Sequence, residues 1–253
     1  GGKFGRALKK AGYDGVVIEG EADRQSVLVI KNDTICIENM EELTGLEVTP
    51  TVERIRAKYG HKLSVAVIGP AGEKLVKFAA VTTDDHRSFG RGGIGAVMGA
   101  KKLKAIAVAG DLVVTSINKE VFSSGLKKLM ANLKECPGPR KEFPIFGTAD
   151  GPALLSGWGI FPTKNWSKST FEKAEKISMP YLREEGNFVR RDTGCHSCPV
   201  RCGKEMYVEN GEFAGAWNEG PEYETLYALG SNLGIDSAEF IIAANQRCDE
   251  LGL

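Results

Sequence analysis

The sequence predicts an α+β protein in which a β-rich N-terminal domain precedes a mainly helical domain. Short apolar runs that end near Gly, Pro or Asn recur through residues 1–115 and are typical of strands. Apolar residues at helical spacing recur through residues 116–253 instead. Since 253 residues are enough for two ordinary domains, we place a domain boundary near residue 115.

Strands are predicted in the N-terminal domain wherever a short apolar run meets a turn-forming residue. These runs are 16–18, 27–30, 34–37, 64–68, 76–81 and 105–109. The second and third runs form a hairpin, because only the polar stretch Lys31-Asn32-Asp33 separates them. A helix is predicted over 49–59, with Pro50 in its first turn and Val52 and Ile55 at helical spacing.

Helices dominate the predicted second domain. Residues 121–133 read as an amphipathic helix with its apolar face inward and its lysines outward. Residues 143–170 are rich in Gly, Pro and Trp without periodicity, so we expect an ordered but irregular segment. A further helix opens at 220–222, and the last one begins with a capping box of Asp236 and Glu239.

Composition and charge exclude several classes of protein. The 33 basic residues balance 33 acidic ones, so no overall field favours nucleic acid or an anionic membrane. The apolar runs are too short to span a bilayer. Six cysteines, three of them clustered, suit a reducing cytoplasm better than a secreted disulfide scaffold. The chain lacks an initiator methionine, and we expect an inactive fragment, cut at both ends, of a longer protein.

The clustered cysteines suggest a metal centre. Cys195, Cys198 and Cys202 have the spacing C-x2-C-x3-C, a compact loop that can present three thiolates to one face of a cluster. A 4Fe–4S cluster needs four ligands, so the fourth must come from elsewhere. Structural zinc sites usually have two well-separated ligand pairs, and no second pair is visible. The pattern favours iron–sulfur, with zinc and unligated thiols as open alternatives.

Residues 86–99 form a stretch rich in glycine and arginine that is suited to an anion. Glycines such as Gly90 let a ligand approach the backbone closely. Arg87 and Arg91 carry forked donors that match phosphate oxygens. The stretch lacks the spacing of a Walker or Rossmann loop. An arginine-bearing surface turn is the alternative interpretation.

The carboxylates Glu219, Glu222 and Glu224 lie at the start of a predicted helix. Negative charge at that end of a helix is favourable in itself, and this is the simpler explanation. In the functional interpretation, one of the three lies in a cleft as an acid–base group.

Several stretches in fixed order now point to a known family. They are 68–79, 86–99, Cys195-x-x-Cys198-Pro199-x-x-Cys202-Gly203, Glu219-Gly220-Pro221-Glu222-Tyr223-Glu224 and 245–253. The chain resembles the aldehyde:ferredoxin oxidoreductase family of tungsten enzymes over nearly its whole length. The resemblance implies a saddle-like N-terminal β-sheet domain that binds the cofactor. The implied cofactors are tungsten or molybdenum held by two molybdopterins, a magnesium ion bridging the pterin phosphates, and a 4Fe–4S cluster.

The resemblance also implies a reaction and its partners. A small aldehyde is oxidised to a carboxylic acid, and the electrons pass through the cluster to ferredoxin in the cytoplasm. Ala243 replaces a metal-binding glutamate of some dimeric members, so a homodimer would not be metal-bridged. Two alternatives are a subunit of another tungsten or molybdenum reductase complex and a zinc-stabilised, non-enzymatic module.

The family's functional positions carry over to single residues of this chain. The resemblance assigns contacts with the tungstopterin to Gly1, Arg87, Ser88, Gly90 and Arg91, and a pterin-facing loop to Asp249 and Leu253. It assigns three cluster ligands to Cys195, Cys198 and Cys202. It places Glu224 near the tungsten for proton transfer, with Glu222 as the second choice.

Overall fold

The structure of the protein, a computed structural model, describes residues 2–83, 86–136 and 138–253. It confirms a mixed fold of helices and two β-sheets. The chain divides into two compact units, which we call the first and the second unit. The first contains the chain up to Ile117 together with Cys248–Leu253, and the second contains Asn118–Arg247. Within the described ranges, no helix is both long and apolar enough to cross a membrane.

The first unit is built on a six-stranded sheet. Its strands are β1 (Ser26–Lys31), β2 (Thr34–Asn39), β3 (Ser64–Val67), β4 (Val81–Thr83), β5 (Ser88–Phe89) and β6 (Leu103–Ala109). Their order across the sheet is β2-β1-β6-β3-β4-β5. The β1–β6 pair is parallel and the other pairs are antiparallel. The predicted strands 27–30, 34–37, 64–68 and 105–109 are confirmed.

The predicted hairpin is confirmed in its register. Lys31 of β1 lies opposite Thr34 of β2, so Asn32 and Asp33 form a two-residue turn. Asn32 has a φ of 50°, in the left-handed region that asparagine tolerates better than most residues. The local sequence was therefore sufficient to predict this turn.

The strand predicted at 16–18 is wrong. This run is extended but belongs to neither sheet, and Val17 is 87% exposed. Both edges of β1 are already paired, one with β2 and the other with β6. No position beside β1 is therefore left for residues 16–18, and they form a loop.

The strand predicted at 76–81 is also wrong, except for its last residue, Val81, which begins β4. Ala80 donates its N–H to the carbonyl of Gly252, at 2.8 Å, and the carbonyl of Ala79 accepts the N–H of Gly95, at 2.9 Å. The backbone groups that a strand would need are thus bound to residues far away in the sequence.

Helices flank the sheet of the first unit. They are α1 (Phe4–Lys10), α2 (Val48–Tyr59), α3 (Pro70–Glu73) and α4 (Ile94–Ala100). The helix predicted at 49–59 is confirmed as α2, and it buries Val48, Val52 and Ile55. These side chains pack with Val29 and Val65 of the sheet in one apolar cluster. This burial of apolar surface holds α2 on the sheet.

The second unit combines helices with a small antiparallel sheet. Its helices are α5 (Lys119–Glu135), α6 (Phe143–Phe146), α7 (Gly151–Gly157), α8 (Tyr223–Thr225) and α9 (Ala238–Leu251), the last of which runs on into the first unit. Its strands are β7 (Val189–Thr193), β8 (Gly203–Tyr207) and β9 (Trp217–Glu219), in the order β7-β8-β9. The prediction of a mainly helical domain overlooked this sheet, whose strands carry many charged residues.

Buried side chains from across the second unit form its core. Fully buried members include Phe161, Ile177, Leu182, Met206 and Leu226. The helix predicted from 220–222 is confirmed as α8, which continues through a π-helical stretch over Leu226–Ser231. Leu226 ties this helix into the core, so the residues that precede it have a fixed support.

The helix predicted at 121–133 exists as α5, but its orientation was predicted wrongly. Its N-terminus is capped by Asn118, whose side-chain oxygen accepts the N–H of Val121 at 2.9 Å. None of its residues is buried, and Val121 and Leu129 are 68% and 54% exposed. The 3.6-residue pattern was sufficient to predict a helix, but it does not say what the apolar face contacts.

The predicted cap of the last helix is wrong by one residue. The hydroxyl oxygen of Ser237 accepts the N–H of Phe240 at 3.2 Å, so Ser237 caps α9. Asp236 instead forms an ion pair with Lys173, at 3.0 Å. Ser237 is the residue directly before the first helical position, which is where a cap must lie.

Candidate functional site

The arginine loop, residues 86–93, starts at an edge strand of the first sheet. The hydroxyl oxygen of Thr83 accepts the N–H of Arg87 at 3.2 Å, and the same hydroxyl donates to the carbonyl of Arg87 at 2.7 Å. β4 and β5 pair with Thr82 opposite Ser88. These contacts fix the backbone of Arg87 and Ser88, while the side chains of Ser88 and Arg91 are exposed.

The glycines in and after this loop fall into two groups. A Cβ atom would lie 2.2 Å from the carbonyl oxygen of Lys77 if added to Gly93, and 2.4 Å from that of Ala80 if added to Gly95. These glycines are required because α4 packs closely on its neighbours. Gly90 has no neighbour within 4 Å of that position. Packing therefore does not require a glycine at position 90, and space for a ligand is open beside it.

The end of the chain belongs to the same unit as the arginine loop. The carboxylate of Glu250 accepts hydrogen bonds from the backbone N–H of Thr49, at 2.9 Å, and from its hydroxyl. Gly252 binds the N–H of Ala80, the residue just before β4, and β4 pairs with β5. Asp249 and Leu253, the predicted pterin-facing residues, flank these contacts. Gly1, the remaining predicted pterin contact, lies outside the described residues.

The thiolate loop, residues 195–202, connects β7 to β8 in the second unit. The N–H of Cys198 donates to the carbonyl of Cys195 at 3.0 Å, which closes a tight turn. Ser197 and Arg201 have φ angles of 57° and 52°, which fold the loop back on itself. The side chains of Cys195, Cys198 and Cys202 are half-buried and form no disulfide. The structure therefore brings these three predicted ligands onto one short loop.

A zinc ion and an iron–sulfur cluster would need different spacings of the thiols on this loop. In the described part of the chain, no three His, Cys, Asp or Glu side chains form a group that could hold one metal ion. A zinc ion would draw its thiolates to about 2.3 Å from one point. In an iron–sulfur cluster each thiolate binds a different iron atom, so the sulfurs spread further apart. The preference for a cluster therefore still rests on the C-x2-C-x3-C spacing of the three cysteines.

A buried lysine supports the thiolate loop from β8. Lys204 is 3% exposed, and its ammonium group lies 3.2 Å from the carbonyl of Cys202 and 3.4 Å from the carboxylate of Asp192. Burial lowers the pKa of Lys204, although Asp192 opposes this effect. Burial is the largest single effect on Asp192 and raises its pKa, but the hydrogen bonds and charges of Arg183 and Lys204 together outweigh it, so the pKa of Asp192 is lowered. Asp192 is therefore ionised at neutral pH and can act as the counter-ion of the Lys204 ammonium group.

The two predicted catalytic carboxylates have different surroundings. Glu222 accepts a hydrogen bond from the hydroxyl of Thr148, and the same hydroxyl oxygen accepts the N–H of Tyr223 at 3.0 Å. Glu222 also lines a narrow crevice together with Cys202 and Lys204. Through Thr148, Glu222 thus stabilises the start of α8.

Glu224 lines a cavity of about 360 Å³ in the second unit. The other lining residues include the carboxylates Glu142 and Asp150 and the apolar or aromatic side chains of Phe143, Leu154, Leu155 and Tyr223. Burial, with smaller effects from Tyr227 and Glu224, raises the pKa of Tyr223. Tyr223 therefore keeps its proton at neutral pH. A small molecule in this cavity would meet one phenol donor and several carboxylates.

Family models match both parts of the chain. The model of the aldehyde ferredoxin oxidoreductase N-terminal domain matches residues 1–110, and the model of aldehyde ferredoxin oxidoreductase domains 2 and 3 matches residues 124–253. This chain belongs to the aldehyde ferredoxin oxidoreductase family. The resemblance inferred from its motifs is thereby confirmed.

Individual members of the family are similar along the whole chain. The tungsten-containing aldehyde ferredoxin oxidoreductases of Pyrococcus furiosus and Thermococcus kodakarensis are each 41% identical to it. The WOR-like subunit of an aliphatic sulfonate oxidoreductase from Pyrococcus furiosus is 32% identical over 99% of the chain. The chain spans 41% of the length of each of the first two relatives and 42% of the third.

A solved structure shares the fold. The active site complex BamBC of benzoyl coenzyme A reductase, bound to 1,5-dienoyl-CoA, superimposes with a TM-score of 0.80 at 25% identity. The match covers all of this chain and 39% of that one. Members of this fold therefore include proteins whose names indicate different substrates.

Several supporting residues of this family member were missed from sequence. Thr148 lies in the segment predicted to be irregular, and Lys204 and Asp192 lie on strands that were not predicted. A lysine two residues after a cysteine motif is a weak signal, since most lysines are exposed. Its burial among Asp192, Arg183 and backbone carbonyls depends on long-range contacts that no local pattern indicates.

Proposed function

We propose that the full-length protein is a tungsten- or molybdenum-dependent oxidoreductase that converts small aldehydes to carboxylic acids. The reaction consumes the aldehyde and one water and yields the acid, two protons and two electrons. The electrons leave through a 4Fe–4S cluster to ferredoxin. The observation that carries this proposal is that the thiolate loop and the Glu224 cavity are parts of one compact unit, joined through Thr148, Lys204 and Glu222.

Residues of the first unit hold the pterin cofactor in this proposal. Arg87 and Arg91 donate to phosphate oxygens, and Ser88 offers an exposed hydroxyl. Gly90 leaves room for the ligand beside them. Gly1, Asp249 and Leu253 are assigned further contacts with the cofactor, and a magnesium ion between pterin phosphates would neutralise their remaining charge. When bound there, the tungsten or molybdenum cofactor would supply the two-electron redox chemistry.

Residues of the second unit handle the substrate and the protons. Tyr223 retains its proton and donates a hydrogen bond to the aldehyde oxygen, which orients the carbonyl. Glu224 accepts the proton that is released as water adds to the carbonyl carbon. The apolar walls formed by Phe143, Leu154 and Leu155 exclude bulk water. Cys195, Cys198 and Cys202 supply three of the four cluster ligands.

The proposed partners follow from this reaction. Ferredoxin accepts the electrons one at a time, and the exposed turn at Ser197 brings the thiolate loop to the surface for that transfer. We expect the protein to act in the cytoplasm, where thiols remain reduced. A homodimer is a further expectation, which light scattering of the full-length protein tests.

A second candidate is a catalytic subunit of a larger reductase complex. The TM-score of 0.80 to a benzoyl coenzyme A reductase complex favours it. The 41% identity to aldehyde oxidoreductases, against 25% to that complex, favours aldehyde oxidation. An assay with reduced viologen as the electron donor and an aromatic coenzyme A thioester as the substrate distinguishes the two functions. Dye oxidation that depends on the thioester, without aldehyde activity, would establish the reductase.

The proposed function is tested by expressing the full-length gene anaerobically. We expect a brown protein that contains iron, sulfide and tungsten or molybdenum, and that reduces viologen when an aldehyde is added. A protein with a complete cluster but no tungsten or molybdenum would contradict the proposal. A colourless protein with stoichiometric zinc would support the zinc-stabilised module instead.

A further inference from the structure

Lys204 makes an unusual set of contacts for a lysine. Its ammonium group lies 3.1 Å from the carbonyl oxygen of Pro144 and 3.2 Å from those of Cys202 and Gly203. Buried ammonium groups are costly unless they are paired and hydrogen-bonded. Here the three N–H donors meet carbonyls from two separate segments. Cys202 and Gly203 lie at the end of the thiolate loop and directly after it, and Pro144 lies in α6. The side chain therefore joins those segments.

The backbone of Lys204 reaches a third segment. Its carbonyl accepts the N–H of Gly220 at 2.8 Å, just before Pro221 and Glu222. On the other side of the crevice, a Cβ atom on Gly147 would lie 2.6 Å from the carbonyl oxygen of Cys202. Lys204 thus contacts Cys202, the last of the three predicted cluster ligands, and also Gly220, which leads into the predicted catalytic carboxylates.

Two charged neighbours complete the network. Arg183 donates to the carboxylate of Asp192 at 2.6 Å and to the carbonyl of Ile145 at 2.8 Å. Asp192 also lies 3.4 Å from the ammonium group of Lys204. Lys204 places its positive charge next to the backbone of Cys202, with Asp192 as its counter-ion and the carboxylate of Glu222 lining the same crevice. Because Lys204 is buried, water screens this charge less than it would at the surface.

We propose that Lys204 is a positioning residue that holds the thiolate loop against the lead-in to α8 and supplies a buried positive charge beside the cluster. The charge stabilises the more negative, reduced form of the cluster and so raises its reduction potential. This favours the passage of electrons from the substrate site to the cluster. The inference rests on the proposed function, because it requires that the cysteines bind a cluster.

Opposite changes of charge provide the test in the full-length holoenzyme. Lys204→Met removes the charge and the donors, whereas Asp192→Asn removes the opposing charge from a side chain that is partly exposed. Potentiometric titration of the cluster signal in electron paramagnetic resonance measures both. We expect a more negative potential for Lys204→Met and a more positive one for Asp192→Asn. Lys128→Met on the exposed face of α5 is the matched control and leaves the potential unchanged.

Further measurements separate this inference from its alternatives. If Lys204→Met does not fold, Lys204→Gln decides, because it keeps a hydrogen-bond donor and loses only the charge, so its negative shift follows from the electrostatic role. Equal potentials in wild type and Asp192→Asn, or shifts of the same sign in both variants, would overturn the assignment. In that outcome the wild type still contains a cluster, and the proposed function stands. A wild type without iron would remove the cluster and overturn both proposals.

Discussion

The thiolate loop and the arginine loop are held in different ways. Around the thiolate loop, the buried Lys204 and its partners Asp192 and Arg183 fix the backbone through side-chain contacts. The arginine loop is held through its backbone at Thr83, and the side chain of Arg91 is exposed. In the proposed function the first loop binds a cluster through short side chains, whereas the second binds phosphate through long arginine side chains. We therefore expect a substitution in the thiolate loop to abolish binding of the cluster, and a substitution in the arginine loop to weaken retention of the pterin cofactor by degrees.

The largest effect is expected from removing a cluster ligand. Cys198→Ser takes away one of three thiolates on the loop, and a neutral hydroxyl does not replace it. We expect loss of the visible iron–sulfur absorption and of bound iron in the full-length protein. Cys136→Ser is the matched control, since Cys136 is exposed and outside the loop, and it retains the cluster. Full iron content in Cys198→Ser would remove this residue from the ligand set.

The next largest effect concerns the carboxylate in the cavity. Glu224→Gln keeps the size of the side chain but removes the proton acceptor. We expect aldehyde oxidation to fall by about 10²–10⁴-fold with unchanged metal content. Glu222→Gln keeps an acceptor for the Thr148 hydroxyl, so we expect a much smaller loss of activity. If Glu222→Gln were instead the more damaging change, the roles of the two residues would have to be exchanged.

A graded effect is expected from the arginine loop. A charge-assisted hydrogen bond contributes about 1.5–3 kcal/mol, so Arg91→Gln should weaken retention of the pterin cofactor by roughly 10–100-fold. Because Arg91 is exposed and salt screens its charge, the difference between Arg91→Gln and the wild type should become smaller as the salt concentration rises. Tungsten and iron contents after dialysis at two salt concentrations measure this difference. Arg54→Gln, on an exposed part of α2, is the control, and loss of iron together with tungsten would contradict the separation of the two loops.

The smallest effect distinguishes the two groups of glycines. Gly95→Ala brings a methyl group within 2.4 Å of a backbone oxygen and should lower the free energy of unfolding by about 1–3 kcal/mol. Gly90→Ala meets no neighbour and should leave thermal stability unchanged while it weakens cofactor retention. Thermal denaturation and tungsten analysis of both variants provide the check. Unchanged retention in Gly90→Ala would indicate that Gly90 does not face the ligand.

Local patterns predicted the elements that depend on local sequence. The hairpin of β1 and β2 follows from a two-residue turn at Asn32, and α2 follows from the spacing of Val52 and Ile55. The prediction of a strand at 76–81 was wrong because the N–H of Ala80 binds the carbonyl of Gly252, a residue far away in the sequence. The saddle shape and the boundary near residue 115 stay predictions.

The candidate site was predictable to a similar extent. Cysteine spacing indicated which side chains could bind a metal, and the thiolate loop has them in one turn. The family motif ranked Glu224 before Glu222, but it did not indicate their different surroundings, which depend on Thr148 and on the walls of a cavity. Lys204 was missed for the same reason, since residues far apart in the sequence create its environment.

The central claim is that electrons from an aldehyde reach a cluster on the thiolate loop. It is tested by electron paramagnetic resonance of the full-length protein, mixed anaerobically with aldehyde in the absence of ferredoxin. We expect the signal of a reduced 4Fe–4S cluster within the mixing time, and its suppression in Glu224→Gln. A protein that contains both tungsten and iron, but whose cluster stays oxidised with aldehyde and is reduced by dithionite, would contradict it.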